Sequence, residues 1–396
     1  MPAQVALPDR APRPTDAPAA LAGLRVIDFT RVVAGPACTQ TLGDFGAEVI
    51  KIEQPVTGDD TRAYEYAELG GESAAFLSLN RNKRGVVLDL TVGQGQEVAR
   101  ALIAKADVVV ENLRRGALAE FGLGYEALKE ENPGLVYCSI TGFGLGPDED
   151  SPGYGFLVQA RAGVMGITGP GDEPMKVGVA VADMVCGLYA ATSILAALRS
   201  RDVTGEGTHV EVPLFESTLS WLGNRAQEYL VSGDDKGRLG NAHPSIVPYQ
   251  TFDAADRPLA VAVGNDAQFE RLCRAVGRED LVEDERFATN PGRVEHREAL
   301  VAELQSTFSE RTADEWAAEI RAAGVPCGPV NSLADVFSDP HLLGSDMLRE
   351  VDHPAAGTLG MLASPLLIDG QRPPIRRPPP TLGEHEGELG ERGWLS

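Results

Sequence analysis

The stretch from Leu24 to Pro55, LRVIDFTRVVAGPACTQTLGDFGAEVIKIEQP, constrains the fold more than any other. LRVIDF and EVIKI are short, rich in branched apolar residues and bounded by polar punctuation, as parallel strands buried on both faces tend to be. Between them, Pro36 suits the first turn of a helix, where its missing N–H is not needed. Strand, turn, helix and strand make a βαβ unit closed by an acid, Glu53. A dinucleotide site would ask for G-x-G-x-x-G at that turn, so that the backbone can approach a pyrophosphate. Here the turn offers only Ala34 and Gly35, which argues against NAD or FAD.

The alternation continues. NRNKRGVVLDL runs from a basic cluster into a third strand, GQEVARALIAKA has helical spacing, and DVVVENL and LVYCSITGFG read as fourth and fifth strands. The reading is an α/β fold, a Rossmann-like, doubly wound parallel sheet. Ligands of such sheets sit beyond the carboxyl ends of the strands, which directs attention to Val33–Gly35, Asn112–Arg114 and Gly142–Gly144. VGVAVADMVCGLYAATSILAALRSR leads into a helix apolar on every side, buried in the core or against a second chain. From about Gly240 a hairpin and several helices suggest a smaller α+β domain. The layout read so far is a flexible lead-in at 1–20 and a large domain from 21 to 225 ahead of that smaller one.

With 396 residues, two domains and an ample core are expected. The formal charge of −23 disfavours nucleic acid and anionic membrane as partners. The lack of an uninterrupted run of about 20 apolar residues argues against a membrane span. Five scattered cysteines, never in C-x-x-C, favour a reducing, cytoplasmic setting over a disulfide framework. Six scattered histidines form no metal-ligand pattern, so no metal is expected.

Asp183, just before the apolar helix, is either an N-cap carboxylate or a nucleophile or general acid/base in a dry site. Arg81, Lys83 and Arg84 either face phosphates or form a solvated charged face. Asn112 ends a strand where a ligand-facing amide would lie, or bonds its own turn. Tyr154 and His243 sit in loops and can line a pocket or pin the chain. Neither G-x-S-x-G nor a P-loop is present, so a hydrolase serine and a P-loop NTPase have no support.

These blocks, with VAVADMVCGLYAATSILAAL, TGEGTHVEVPLFES, AAGVPCGPV and LGEHEGE in that order, resemble the class III CoA-transferases, a family that includes α-methylacyl-CoA racemases. The resemblance implies that the βαβ unit binds coenzyme A as part of an acyl-CoA substrate. The matching contacts are Val33, Ala34, Gln54, Leu88, Asp89, Leu90, Thr91, Asn112, Leu113 and Arg114. Some members carry arginine where Gln54 and Glu120 stand; Arg81, Lys83 or Arg84 would then have to compensate.

Asp183 matches the family's catalytic aspartate, which passes through a mixed anhydride and an aspartyl-CoA thioester. Racemases pair it with a histidine where this chain has Tyr154, because α-proton exchange needs two acid/base groups. A single-carboxylate transferase is therefore favoured over a racemase, over a CoA-binding protein without turnover, and over a nicotinamide oxidoreductase. GNAHPSIVPYQ replaces the glycine run of formyl-CoA transferases and looks closer to transferases that use succinyl-CoA and dicarboxylic acids. Arg161 or His243 would then meet a second carboxylate. Members form interlocked homodimers, which is the expectation here; the resemblance also implies that the small domain, 240–323, is inserted and that 324–396 returns to the large domain.

Overall fold

The computed structural model describes residues 19–64 and 67–391. The expected lead-in at 1–20 lies outside them except for its last two residues.

Six strands make one parallel sheet: β1 (Arg25–Asp28), β2 (Glu48–Glu53), β3 (Lys83–Val87), β4 (Val108–Glu111), β5 (Val136–Thr141) and β6 (Thr208–Pro213). They lie in the order β3-β2-β1-β4-β5-β6. That is the doubly wound order, and it reverses direction between β1 and β4. Successive side chains on each strand take opposite faces. Val26, Val49, Val108 and Val136 pack on one side with α1 (Ala34–Asp44) and α4 (Val181–Thr204). Ile27, Ile50, Val109 and Tyr137 pack on the other with α2 (Gly93–Ile103). Runs apolar on both faces are what two covered faces require. Between β5 and β6, in order along the chain, come α3 (Gly155–Arg161) and α4; α5 (Leu214–Ser220) follows β6.

The edge strand β3 is covered by the chain's own tail. Gly85 N donates to His385 Nδ1 (3.2 Å), and His385 N donates back to Gly85 O (3.0 Å). Arg62 Nη2 reaches Pro380 O (3.0 Å). Groups that an open edge would leave unpaired are thus satisfied. Helix α4 is long and apolar enough to cross a membrane by length and composition, although no unbroken apolar run exists; half of that stretch is buried inside the fold.

This first unit takes in the chain to Val164, then Val177–Arg225 and everything from Asp339. A second unit comprises Met165–Lys176 and Ala226–Ser338. It holds an antiparallel sheet of β7 (Tyr249–Asp253), β8 (Pro258–Ala262) and β9 (Cys327–Pro329), in the order β9-β8-β7. Against it pack α6 (Asp266–Ala275), α7 (Arg297–Phe308) and α8 (Ala313–Ala322). Phe308 stands between Phe252 and Trp316, with ring centroids 4.9 and 5.7 Å away. Thr312 and Glu315 close the start of α8 with a capping box, satisfying N–H groups that a helix start leaves free.

Candidate active site

Beyond the carboxyl ends of β1, β2, β3 and β4 lies a cleft of about 270 Å³. Doubly wound sheets place ligands here, because the chain leaves β1 and β4 in opposite directions and opens a crevice. Gln54, Leu88, Asp89, Leu90, Thr91 and Leu113 line it, joined by Phe29, Arg31 and Phe121, which sequence reasoning did not single out. The other matched positions lie outside the lining. Val33 is the N-cap of α1 and Ala34 its first residue. Asn112 spends its amide on the backbone of Arg31, accepting from Arg31 N (2.9 Å) and donating to Arg31 O (2.8 Å). Arg114 pairs with Glu120 at the surface.

The rim next to Arg31 is conformationally strained. Val32 has φ +70°, a left-handed conformation costly for a β-branched residue. Asp59 holds it there, its Oδ1 accepting from Val32 N (3.1 Å). Asp59 is itself paired with the fully buried Lys51 (2.8 Å). Burial would raise the Asp59 carboxyl, but Lys51 and the backbone N–H groups of Thr61 and Val32 outweigh it and hold it at about 2. Glu53, the acid that closes β2, is engaged by Arg62 Nε and Nη2 (2.8 Å each) and by Asp59 N (2.9 Å).

Arg81, Lys83 and Arg84 do not face the cleft, nor do they form a solvated face: all three are buried. Lys83 opens β3, so the cluster sits at the strand's amino end, and ligands gather at the carboxyl end, where Leu88–Thr91 lie. Lys83 Nζ meets Asp28 (3.1 Å), Asn80 Oδ1 (2.9 Å) and Pro36 O (3.1 Å). Burial pushes the Asp28 carboxyl up, but Lys83, Lys51 and the Thr30 and Thr39 hydroxyls together bring it below its ordinary value. Arg81 binds Asp44 through two donors, and Arg84 meets Glu388 (3.2 Å).

Asp183 is the third residue of α4; the N-cap is Ala180, which has no capping side chain. The N-cap reading therefore fails: Val181 and Ala182, both buried, start the helix two residues earlier. Four residues on, Gly187 brings α4 onto the start of α1, since a Cβ there would lie 2.6 Å from Ala34 O. Asp183 is thereby held on the helix that packs across the A-G-P turn. On its other side, a Cβ on Gly155 would lie 2.0 Å from Asp183 Oδ2, so only glycine leaves the carboxylate its place. Burial raises the Asp183 carboxyl to about 6. Among the described residues no cationic side chain pairs with it. Cys186, in the next turn, is pushed by burial up to about 12, so its thiol stays protonated at neutral pH.

Tyr154 is the exposed N-cap of α3, directly before Gly155. Arg161 bonds Asp148 (2.6 Å) and lies over the Phe143 ring (4.4 Å). His243 belongs to the second unit, where its Nδ1 accepts from Ser245 N (3.2 Å) and its carbonyl from Arg297 Nη2 (2.8 Å). Gly155, Gly187 and Arg31 were missed in sequence. Only Arg31 left a trace there, as a cation directly after a strand that ends at the switch point.

A doubly wound sheet, a cleft at its switch point and an unpaired, desolvated carboxylate define a nucleotide-type α/β enzyme with a candidate acyl-accepting group. Residues 21–386 match CoA-transferase family III, and the chain belongs to that family; it is a transferase. It is similar to the succinate–glutarate CoA-transferase of Agrobacterium fabrum, with 42% identity over 93% of this chain and 94% of that one. It is also similar to the human succinyl-CoA:glutarate CoA-transferase, with 38% identity over 92% of this chain and 84% of that one. A crystal structure of a CaiB/BaiF family protein from Brucella suis shares 42% identity and a TM-score of 0.85, covering 94% of this chain and 98% of that one.

Proposed function

We propose that the protein moves CoA from succinyl-CoA to a dicarboxylic acid, with Asp183 as the covalent carrier. The names of the relatives support the substrates. The observation that carries the mechanism is the Asp183 carboxylate itself, with no cationic partner among the described residues, raised to about 6 and confined by Gly155. A partly desolvated carboxylate is more basic than a solvated one, and lacks a cation that would hold it in its resting form.

An Asp183 carboxylate oxygen attacks the succinyl thioester carbonyl. The C–S bond breaks, CoA leaves as thiolate, and a mixed anhydride remains. The thiolate then attacks Cγ of Asp183, breaking its bond to the bridging oxygen and releasing succinate, which leaves an aspartyl-CoA thioester. The acceptor carboxylate attacks that thioester and expels the thiolate, forming a second anhydride. The thiolate closes the cycle at the acceptor's acyl carbon and regenerates Asp183. Each step preserves acyl activation, and water must be excluded because both intermediates hydrolyse.

The adenine nucleotide would occupy the cleft lined by Gln54, Leu88–Thr91 and Leu113. We further propose an interlocked homodimer in a reducing, cytoplasmic compartment. The exposed Leu188, Tyr189, Leu219 and Trp221 on and just after α4 and α5 support an oligomer, since large apolar side chains gathered on neighbouring helices mark association surfaces. The reading of Tyr154 as a departure from racemases favours transfer over epimerisation.

Intact-protein mass spectrometry after mixing with succinyl-CoA tests this reading. A CoA-sized adduct that is released by hydroxylamine and maps to Asp183 is expected. Turnover undiminished in Asp183→Ala would sink the mechanism.

A further inference from the structure

CoA carries a pyrophosphate and a 3′-phosphate, and it has to enter a protein with a formal charge of −23. The cleft is lined by three acids, Glu53, Asp59 and Asp89. Two are already neutralised, Glu53 by Arg62 (2.8 Å) and Asp59 by Lys51 (2.8 Å). Asp89 accepts from Thr91, through its N–H (2.9 Å) and hydroxyl (2.6 Å), and pairs with no cation among the described residues. An anionic ligand here would therefore meet a net negative wall unless a cation faces it.

Among the described residues that line the cleft, Arg31 is the one cation. The positions where the family resemblance would put arginines hold Gln54 and Glu120. At the other end of β3, Arg81 and Lys83 are committed to the buried Asp44 and Asp28, and Arg84 to the half-buried Glu388. The Arg31 guanidinium makes one ion pair, with Asp60 at 3.3 Å, and both side chains are about half exposed (47% and 45%). An exposed pair of this kind contributes little, because both charges stay solvated, so Arg31 can be drawn off it by a better anion. Its backbone is fixed, because Asn112 bonds Arg31 N and Arg31 O at once. A side chain that can swing on an immobile backbone suits a phosphate, which the planar fork of arginine binds through two parallel hydrogen bonds.

We infer that Arg31 is the residue that receives a phosphate of CoA in this chain, replacing cationic contacts absent at Gln54 and Glu120. The inference rests on the reading that the cleft holds acyl-CoA, and the test separates the two. CoA is titrated calorimetrically into the full-length protein, Arg31→Ala, Arg31→Lys and Leu90→Trp, with Leu113→Trp as the substitute should Leu90→Trp melt early. Arg31→Ala is expected to weaken CoA binding by roughly 10- to 100-fold with unchanged melting, and Arg31→Lys by less. Leu90→Trp, which fills the cleft, is expected to abolish binding. Repeating the titration with dephospho-CoA identifies the phosphate: a penalty that vanishes assigns Arg31 to the 3′-phosphate, and one that persists assigns it to the pyrophosphate. Undiminished CoA binding in Arg31→Ala, with loss in Leu90→Trp, would overturn the role of Arg31 and leave the cleft standing. Undiminished binding in Leu90→Trp would remove CoA from the cleft, and the Arg31 inference with it.

Discussion

Asp183 combines two demands that oppose each other. In the nucleophilic role proposed for it, it must be ionised, yet its surroundings raise its carboxyl from an ordinary value near 3.8 to about 6. The active form is the carboxylate, so kcat/KM for acyl-CoA should fall as pH drops through about 6, following a single ionisation of the free enzyme. The same shift has a stability consequence of opposite sense. The folded-state value lies above the unfolded one, so ionisation works against the fold: the penalty is absent below the unfolded value and complete above about pH 6. Asp183→Asn should therefore melt higher than the natural protein at pH 7.5, with the gap closing by pH 4. After solvent screening the effect is worth up to about 1 kcal/mol. Gly155 governs where the carboxylate stands. In Gly155→Ala the methyl would meet a movable side-chain end, 2.0 Å away, so the fold should survive while Asp183 is displaced. A loss in kcat on the order of 100-fold with little change in Tm is expected, since small misplacements of reacting groups cost that much.

At the level of elements, buried ion pairs tie strands to the turns that shape the site. Lys83 of β3 reaches Asp28 at the end of β1, and Lys51 of β2 reaches Asp59 below the strained Val32. Removing one partner of such a pair leaves an uncompensated buried charge. Lys83→Met should cost about 3–5 kcal/mol in denaturant unfolding, while a ligand-binding lysine would instead change KM for acyl-CoA and leave unfolding alone. Gly187 does for helices what these pairs do for strands. In Gly187→Ala the added carbon would press on the Ala34 carbonyl, which is backbone and cannot yield cheaply. Overpacking of that kind costs about 1–3 kcal/mol, and it should move α4 and Asp183 together, so stability and kcat are expected to fall in the same variant.

For the whole molecule, the apolar residues left bare on α4, and on α5 and the turn after it, bear on association. If two chains are threaded through each other, separation requires unfolding, because no rigid-body path releases a ring. Two differently tagged preparations, mixed under native conditions, should then form no hybrid dimers over days, and should form them after denaturation and refolding. Rapid native exchange would rule out interlocking; a monomer at micromolar concentration in sedimentation would rule out the dimer altogether.

The parallel α/β sheet was legible from residues alone. β1, β2, β4 and β5 are local runs of branched apolar residues, and their periodicity follows from covering both faces of a sheet. The residues after β3, Leu88–Thr91, were likewise placed beside Gln54 and Leu113 by the resemblance, and the cleft holds them together. The proposal of Asp183 as nucleophile came from a matching block of sequence, but its setting did not. Gly155 lies 28 positions before Asp183 and Asn112 lies 81 beyond Arg31, and nothing local encodes either meeting. The basic cluster was misread because a run of charge looks the same at either end of a strand. Only strand direction and register turned Lys83 inward to Asp28, where a buried partner outweighs hydration. Composition and periodicity determine which segments must be buried; which charges meet, and which glycine leaves room for a carboxylate, is decided when distant segments pack.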